Sequence, residues 1–288
     1  MTIKSTIKFM IISTFAFACM NVTVKYLVNV NAFQIVFFRS LSSLVFTFGF
    51  LLKNRIPILG NNKKLLVLRG LTGVTSMTFF FMSIKYLPVA TAVSLRYIAP
   101  IFAAIFAVLF LSEKIKPLQW LFFCMSFMGV LVLKGFDEQI NTYGLILVLI
   151  AAVFSGLVYT IINKIGTGDH PVVVVNYFMV IATLVGGILS INNWNNPVGV
   201  EWLLLGSLGV FGYFGQVYMT KAFQTAATNQ VAPFKYLEVV FTLAFGLLWF
   251  DDIYSIWSLI GIILIIGGLI LNILYKSKKN IDLKPKLS

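Results

Sequence analysis

The sequence predicts an all-α integral membrane protein of ten transmembrane helices, arranged as two inverted five-helix repeats. The first observation behind this prediction is the composition: 59% of the 288 residues are hydrophobic, 11% are charged and the mean hydropathy is +0.96. Such a chain has lipid rather than water around much of its surface. The second observation is a series of ten apolar runs, and the third is a set of residue matches between the two halves of the chain.

Each of the ten apolar runs ends at a polar residue, a proline or a glycine, as transmembrane helices commonly do. A run of about 20 residues, at about 1.5 Å per residue, crosses a hydrocarbon core about 30 Å thick. The longest break, residues 53–64, is too short to hold a soluble domain. In chain order, the predicted spans are residues 6–26, 33–52, 65–84, 89–111, 117–134, 142–163, 172–191, 201–222, 229–250 and 255–275.

The first run imitates a secretory signal peptide, because lysines precede it and Ala16-Phe17-Ala18 has the pattern of a cleavage site. The apolar segment nevertheless continues past this site to Tyr26. Its counterpart in the second half lies in mid-chain, where no signal peptide occurs. We therefore interpret the first run as a transmembrane helix.

The cationic residues fix the expected orientation. Fifteen lysines and arginines would lie on the side of the two termini, and three, Lys25, Lys85 and Lys134, on the other side. By the positive-inside rule, both termini are expected in the cytoplasm, and the protein is expected in the cytoplasmic (inner) membrane. This distribution accounts for the net charge of +13 in a protein whose partner is the lipid bilayer, so we expect no nucleic acid partner.

The two halves of the chain match at a constant offset of 139 residues (235 − 96). Each half holds five spans, an odd number, so the second half enters the membrane from the opposite side. We predict one five-helix repeat over residues 1–137 and a second over residues 138–288, which ends in a short basic cytoplasmic tail. The matched pairs include Lys25 and Lys164, Gly60 and Gly199, Gly70 and Gly209, Gly73 and Gly212, Arg96 and Lys235, Tyr97 and Tyr236, Glu113 and Asp252, and Gly129 and Gly268.

A resemblance to the EamA family of the drug/metabolite transporter superfamily is carried by two segments, LRYIAPIFAAIFAVLFLSEKIKPLQW and FKYLEVVFTLAFGLLWFDD. Pro100 followed by Glu113 is similar to the family pattern, whereas the second half has Val239 and Asp252 at these positions. The resemblance covers nearly the whole chain. It implies helices around a central cavity, secondary transport by alternating access, and relatives that move amino acids, nucleotide sugars, phosphorylated metabolites or hydrophobic cations.

Four charged residues lie within the predicted spans rather than at their ends: Arg39, Arg96, Lys235 and Glu238. Charges at this depth are costly and usually face a cavity or a partner. Inverted repeats place the matched residues Arg96 and Lys235 at equal depth on opposite sides of the midplane, so we predict that both bind the substrate. Arg39 has two possible roles: it binds the substrate, or its side chain only extends to the membrane surface or pairs with another helix. The Arg69 side chain is expected to extend to the cytoplasm.

Glu238 follows Lys235 by three residues, so both lie on one helical face. Either the two charges neutralise each other so that the helix can insert, or Glu238 takes up a proton and releases Lys235 to the substrate. The second hypothesis makes a proton a candidate coupling partner. Three interior cations against one anion favour an anionic or zwitterionic small-molecule substrate.

Polar and aromatic residues supply further candidates for the lining of the site. We predict that Asn21, Tyr159 and Gln216 contact the substrate, together with Tyr97 and Tyr236, which follow the matched cations. Hydrogen bonds to neighbouring helices are the alternative role for such residues.

Small residues also recur along the eighth span. Gly206, Gly209, Gly212 and Gly215 are three residues apart. We predict that they allow helices to approach closely, with a gating seam as the alternative.

Other classes of function have little support in the sequence. An intramembrane enzyme would need a nucleophile with a base, a metal cluster or paired carboxylates at membrane depth. The chain offers one histidine, His170, in a predicted loop, and two distant cysteines, Cys19 and Cys124, so we expect no enzyme activity, metal or cofactor. A multidrug or lipophilic-cation efflux pump is the alternative within transport.

Overall fold

The fold is seen in a computed structural model that describes residues 3–111, 117–136, 140–165, 168–225, 234 and 236–282. Within these residues the chain forms eleven α-helices and one short 3-10 helix, with no strand. The helices are α1 (Ile3–Tyr26), α2 (Ala32–Lys53), α3 (Lys63–Ile84), α4 (Val89–Arg96), α5 (Ala99–Leu111), α6 (Pro117–Phe136), α7 (Thr142–Ile165), α8 (Pro171–Ser190), α9 (Glu201–Thr225), α10 (Leu237–Trp249) and α11 (Ile256–Asp282).

Polar residues in the short loops cap several of these helices. The Asn31 side chain accepts a hydrogen bond from the second backbone N–H of α2, and the Asn62 side chain accepts one from the third N–H of α3. His170 caps α8 in the same way, directly before Pro171 at its first position. The single histidine therefore has a structural role at a helix end.

Seven stretches in the described residues are long and apolar enough to cross a membrane, including one formed by α4 and α5 together. They coincide with seven of the ten predicted spans. The other three predicted spans hold shorter apolar helices, at Pro117–Val132, Leu237–Trp249 and Ile256–Asn272. The chain is a multi-pass, all-helical membrane protein, as its composition indicates.

The prediction of one continuous helix over residues 89–111 is wrong, because α4 ends at Arg96 and α5 begins only at Ala99. Tyr97 and Ile98 form a turn between the two helices. Pro100, the second residue of α5, explains the break: it has no backbone N–H and so cannot donate to the carbonyl oxygen of Arg96, as a continuous helix requires. The break places the last residue of α4 and the turn in the interior of the protein.

Contacts between loops define two faces of the helix bundle. At the face opposite the termini, Lys85 Nζ donates to the carbonyl oxygens of Val28 and Val30 at 3.0 and 2.5 Å. At the face where α1 begins and α11 ends, which we call the terminal face, the Asp169 carboxylate accepts hydrogen bonds from the backbone N–H groups of Asn61 and Asn62. The chain enters α1 from the terminal face and α7 from the opposite face.

Helix pairs recur between the two halves. The first-half helix α1 packs against α9, and α3 packs against α7; likewise α5 packs against α7, and α1 packs against α10. The pairs α2 with α8 and α6 with α11 join equivalent helices of the two halves. Each of these contacts thus has a counterpart in which the corresponding helices come from the other half.

Matched glycines show the same relation at the level of single residues. A Cβ added at Gly70 would collide with Ile181, and one added at Gly209 would collide with Ser42, which is itself matched with Ile181. A Cβ added at Gly129 would likewise meet Gly261 and Ile265. A Cβ added at the matched Gly268 would meet Phe122 and Ser126, which are the residues matched with Gly261 and Ile265. Gly60 and Gly199, also matched, both have positive φ (60° and 53°), a conformation that glycine adopts without strain.

A candidate substrate site at the helix break

The interior of the bundle holds a carboxylate, Glu238, in the first turn of α10 and 0% exposed. Its Oε1 accepts hydrogen bonds from Asn21 Nδ2 at 2.9 Å and from an Arg96 guanidinium nitrogen at 3.1 Å. Its Oε2 accepts a hydrogen bond from the Tyr97 hydroxyl at 2.6 Å. The three donors come from α1, the end of α4 and the turn after it, so this cluster joins the two halves of the chain.

This arrangement compensates the burial of the Glu238 charge. A carboxylate in a low-dielectric interior is stable only when it is paired and hydrogen-bonded. Arg96 supplies the opposite charge, Asn21 and Tyr97 supply two further donors, and the N-terminus of α10 favours a negative charge. Each partner removed would leave part of this charge uncompensated.

Arg96 is held between an ion pair and an aromatic ring. Its guanidinium carbon lies 3.7 Å from the centre of the buried Phe80 ring on α3, a cation–π contact. The side chain is 22% exposed, whereas Glu238 is fully buried. Arg96 is therefore the more accessible charged group of this pair.

Two tyrosines at matched positions meet beside this ion pair. The rings of Tyr97 and Tyr236 are 5.2 Å apart, in an edge-to-face arrangement, and both residues are buried. Tyr159 is half-buried on α7, a helix that packs against α4. Gln216 is half-buried on α9, the helix that packs against α1.

The structure brings together five of the residues singled out in the sequence: Asn21, Arg96, Tyr97, Tyr236 and Glu238. Lys235 lies outside the described residues, so its pairing with Glu238 stays a prediction. The described partner of Glu238 is Arg96, from the other half of the chain, which the sequence did not indicate.

Two arginines lie apart from this cluster, and one of them corrects a prediction. Arg39, on α2, is buried beside Met77 and Phe178. Arg69 was expected to reach the cytoplasm, but it is also buried, with its guanidinium over the Phe178 ring. The distance along α3 suggested that a long side chain could reach the surface, but packing against α8 turns it inward.

A second ion pair, which sequence reasoning missed, lies at the face opposite the termini. Lys25 Nζ is 2.5 Å from Asp252 Oδ1 and 4.8 Å from the centre of the Phe250 ring. The sequence shows that each position has the same charge in the other half, since Lys25 is matched with Lys164 and Asp252 with Glu113, but it does not indicate that the two residues pair. Both residues lie next to helix ends, so the pair ties α1 to the loop between α10 and α11.

In the described part of the chain, no group of three or more histidine, cysteine or acidic residues could hold a metal ion. The chemistry of the Glu238 cluster is that of exchangeable ion pairs and hydrogen bonds. It can bind a charged small molecule, provided that the molecule replaces partners that the cluster already has.

Comparisons with known proteins show that the chain is similar to transporters. The profile described as the EamA-like transporter family matches residues 4–134 and residues 142–274. The chain is 28% identical over 267 residues to the pseudopaline exporter CntI of Pseudomonas aeruginosa, covering 92% of this chain and 94% of that protein. It is 30% identical over 264 residues to the S-adenosylmethionine uptake transporter of Rickettsia felis, covering 90% and 89% of the two chains.

A more distant relative and a solved structure agree with these matches. Human solute carrier family 35 member G1 is 25% identical over 276 residues, which cover 90% of this chain and 76% of that protein. A crystal structure at 18% sequence identity has a TM-score of 0.68 and covers 95% of this chain and 99% of that chain. At this identity the structural match supports the fold alone.

Proposed function

The chain belongs to the EamA-like transporter family, and on this premise we propose that it carries a small zwitterionic or anionic metabolite across the cytoplasmic membrane by alternating access. It is a transporter of small molecules and not an enzyme. We propose three things beyond this: the class of substrate, the alternating-access mechanism, and the cytoplasmic membrane as the location of the protein. The observation that carries the substrate class is the buried ion pair of Arg96 and Glu238, which joins the two halves.

A zwitterion can replace this ion pair without leaving a charge unpaired. Its carboxylate takes the place of Glu238 at Arg96, and its ammonium group takes the place of Arg96 at Glu238. A bare cation would free Arg96 and leave its charge uncompensated in the interior, which is costly. This favours compounds with an amino acid group over lipophilic cations.

The replacement of the Arg96–Glu238 ion pair by the substrate also connects substrate binding to the movement of the two halves. We infer that the halves, residues 1–137 and 138–288, are inverted repeats, because equivalent helices and glycines exchange contacts and α1 and α7 start from opposite faces. Transporters of this kind rock one repeat or bundle against the other around a central site. A substrate that separates Arg96 from Glu238 removes one tie between the halves and so favours the alternative packing.

A proton is a candidate coupling ion at the same place. Protonation of Glu238 would remove its charge and weaken its hold on Arg96, as an ammonium group would. The excess of lysine and arginine on the terminal face supports a cytoplasmic position for both termini.

Counterflow in proteoliposomes that contain the full-length protein tests the proposal. The internal and external probes are S-adenosylmethionine, alanine, glucose 6-phosphate and tetraphenylphosphonium. We expect exchange of at least one amino or phosphorylated compound, and about a tenfold or greater loss of it in Arg96→Gln. Transport of tetraphenylphosphonium alone would contradict the proposal and favour the efflux pump. Lys53→Gln, exposed at the end of α2, is the matched control and should transport like wild type.

A further inference from the structure

Two buried arginines share one aromatic ring in the interior of the bundle. The guanidinium carbon of Arg39 lies 5.5 Å, and that of Arg69 4.4 Å, from the centre of the Phe178 ring. The two carbons are therefore less than about 10 Å apart, since each distance is measured from the same point. Arg39 is 2% exposed and Arg69 is 6% exposed.

Much of the hydrogen-bonding capacity of these guanidinium groups is unused. Within the described residues, Arg39 Nε and Arg69 Nε and Nη1 have no hydrogen-bond partner. In the described part of the chain, Arg39 Nη1 donates to the sulfur atoms of Met77 at 3.1 Å and Met179 at 3.7 Å, and sulfur is a weak acceptor. The ion pairs found in the described chain involve neither arginine.

An arrangement of this kind is unfavourable by itself. A buried donor without an acceptor loses its hydration without a replacement, and a charged donor loses the most. Two like charges near one ring also repel each other, and the Phe178 quadrupole offsets only part of this cost. Snorkelling does not relieve it, because neither side chain reaches the protein surface. An anion between the two guanidinium groups would accept hydrogen bonds from these donors and offset their repulsion.

Two matched glycines, Gly73 and Gly212, leave space for the two arginine side chains. A Cβ at Gly73 would lie 2.8 Å from Arg69 Nη1, and a Cβ at the matched Gly212 would lie 3.0 Å from Arg39 Nε. Only glycine at these positions leaves the guanidinium groups where they are. The matched residues of α3 and α9 thus each make room for one arginine.

One face of α3 connects this pair to the Arg96–Glu238 site. Arg69, Gly73, Met77 and Phe80 are three or four residues apart, which places them on the same side of the helix. Met77 contacts Arg39, and Phe80 contacts Arg96. A substrate lying along this face would meet Arg96 at one end and the Arg39–Arg69 pair at the other.

We propose that Arg39 and Arg69 form a second anion subsite, which takes a phosphate or carboxylate group of the transported metabolite. Arginine suits this role because its planar group of donors matches the oxygen atoms of phosphate and carboxylate. The proposal rests on the proposed function, in which the amino acid group of the metabolite occupies Arg96 and Glu238. It specifies a substrate with an additional negative group beyond the zwitterion.

Inorganic phosphate is the probe for this subsite, and its affinity for the purified full-length protein is measured by titration calorimetry. We expect wild type and the exposed control Lys53→Gln to bind phosphate with similar affinity. Arg39→Gln and Arg69→Gln should each bind it at least about tenfold more weakly, because each removes a charged donor. Arg39→Lys and Arg69→Lys keep the charge but lose the planar fork, so both should also bind phosphate more weakly.

The outcomes separate this inference from the proposed function. Phosphate binding that is lost in Arg96→Gln but kept in Arg39→Gln and Arg69→Gln would overturn the subsite. Counterflow of a zwitterion without any phosphate binding would also overturn the subsite while leaving the proposed function intact. If a glutamine variant fails to fold, unchanged affinity in both lysine variants would overturn the inference.

Discussion

The ammonium group of Lys25 lies 2.5 Å from a carboxylate oxygen of Asp252, at the face opposite the termini. This pair ties the end of α1, in the first half, to the loop before α11, in the second. Its matched residues are Lys164 and Glu113; Lys164 is exposed, and Glu113 lies outside the described residues. We infer that the pair holds the opposite face closed in the conformation seen here.

The first prediction follows from this tie. Asp252→Asn removes the charge with little change in shape, so the opposite face should open more often. A single cysteine at Thr91, a fully buried residue in the first turn of α4, reports this opening in a background without Cys19 and Cys124. Labelling by a membrane-impermeant thiol reagent should become several-fold faster.

Exchanging the two charges provides the control for the closed face. Lys25→Asp combined with Asp252→Lys should bring the labelling rate at the introduced cysteine back toward that of wild type. A rate that is unchanged by Asp252→Asn would show that other contacts close this face.

The second prediction concerns pH and Tyr254, which lies in the loop between α10 and α11. Burial and the charge of Asp252, whose Oδ2 is 3.4 Å away, raise the pKa of Tyr254 above its ordinary value. The unfolded tyrosine loses its proton near pH 10, whereas the folded protein keeps it to higher pH. The stabilisation is therefore complete below about pH 10 and is lost as the pH rises above it. Thermal unfolding between pH 9 and about 11.5 should show a smaller loss of stability in Tyr254→Phe than in wild type.

The third prediction uses two glycines of α9 as a matched pair. A Cβ at Gly209 would collide with the side chain and backbone of Ser42, whereas a Cβ at Gly206 would have no neighbour within 4 Å. Gly209→Ala should lower the midpoint of thermal unfolding. Gly206→Ala should leave it unchanged or raise it, because alanine favours the helix by up to about 1 kcal/mol. Equal effects of both changes would contradict the close packing of α9 on α2.

The sequence predicted the apolar spans well, because lipid imposes a length and a composition on every transmembrane segment. It also identified Arg96 and Glu238, because charges are rare and costly inside such segments. It did not predict that they pair with each other. Local spacing offered Lys235 as the partner of Glu238, whereas the partner in the structure depends on how α4 and α10 pack, which no short-range pattern records.

The helix break had a signal in the sequence that the hydrophobic run concealed. Pro100 has no backbone N–H with which to continue a helix from Arg96, but apolar residues continue on both sides and predict one span. Similarly, helical spacing suggested an outward path for Arg69. Its burial depends on contact with Phe178, more than a hundred residues away in the chain.

The fourth prediction concerns topology. The structure places the start of α1 and the end of α11 at one face, and the cation bias favours the cytoplasm for that face. A reporter fused after Ser288 that is active only outside the cytoplasm should stay inactive. The same reporter placed after Val198, in the loop between α8 and α9, should be active. Reversed activities would contradict the orientation.

The last prediction tests whether the Arg96–Glu238 pair binds substrate or only stabilises the fold. Arg96→Gln leaves the Glu238 carboxylate buried with the neutral donors of Asn21 and Tyr97, so it should destabilise the protein by about 3 kcal/mol. Combining it with Glu238→Gln removes both charges and replaces the ion pair with neutral amides, which should restore most of this stability.

Transport then separates the two roles. If the charges contact the substrate, the double variant should be about as stable as wild type and yet transport at least about tenfold more slowly, because neither end of a zwitterion finds its partner. Unfolding temperature and counterflow rate, measured on the same preparations, give the comparison. Recovery of both quantities in the double variant would mean that the pair only joins the two halves, and that the substrate binds elsewhere in the interior.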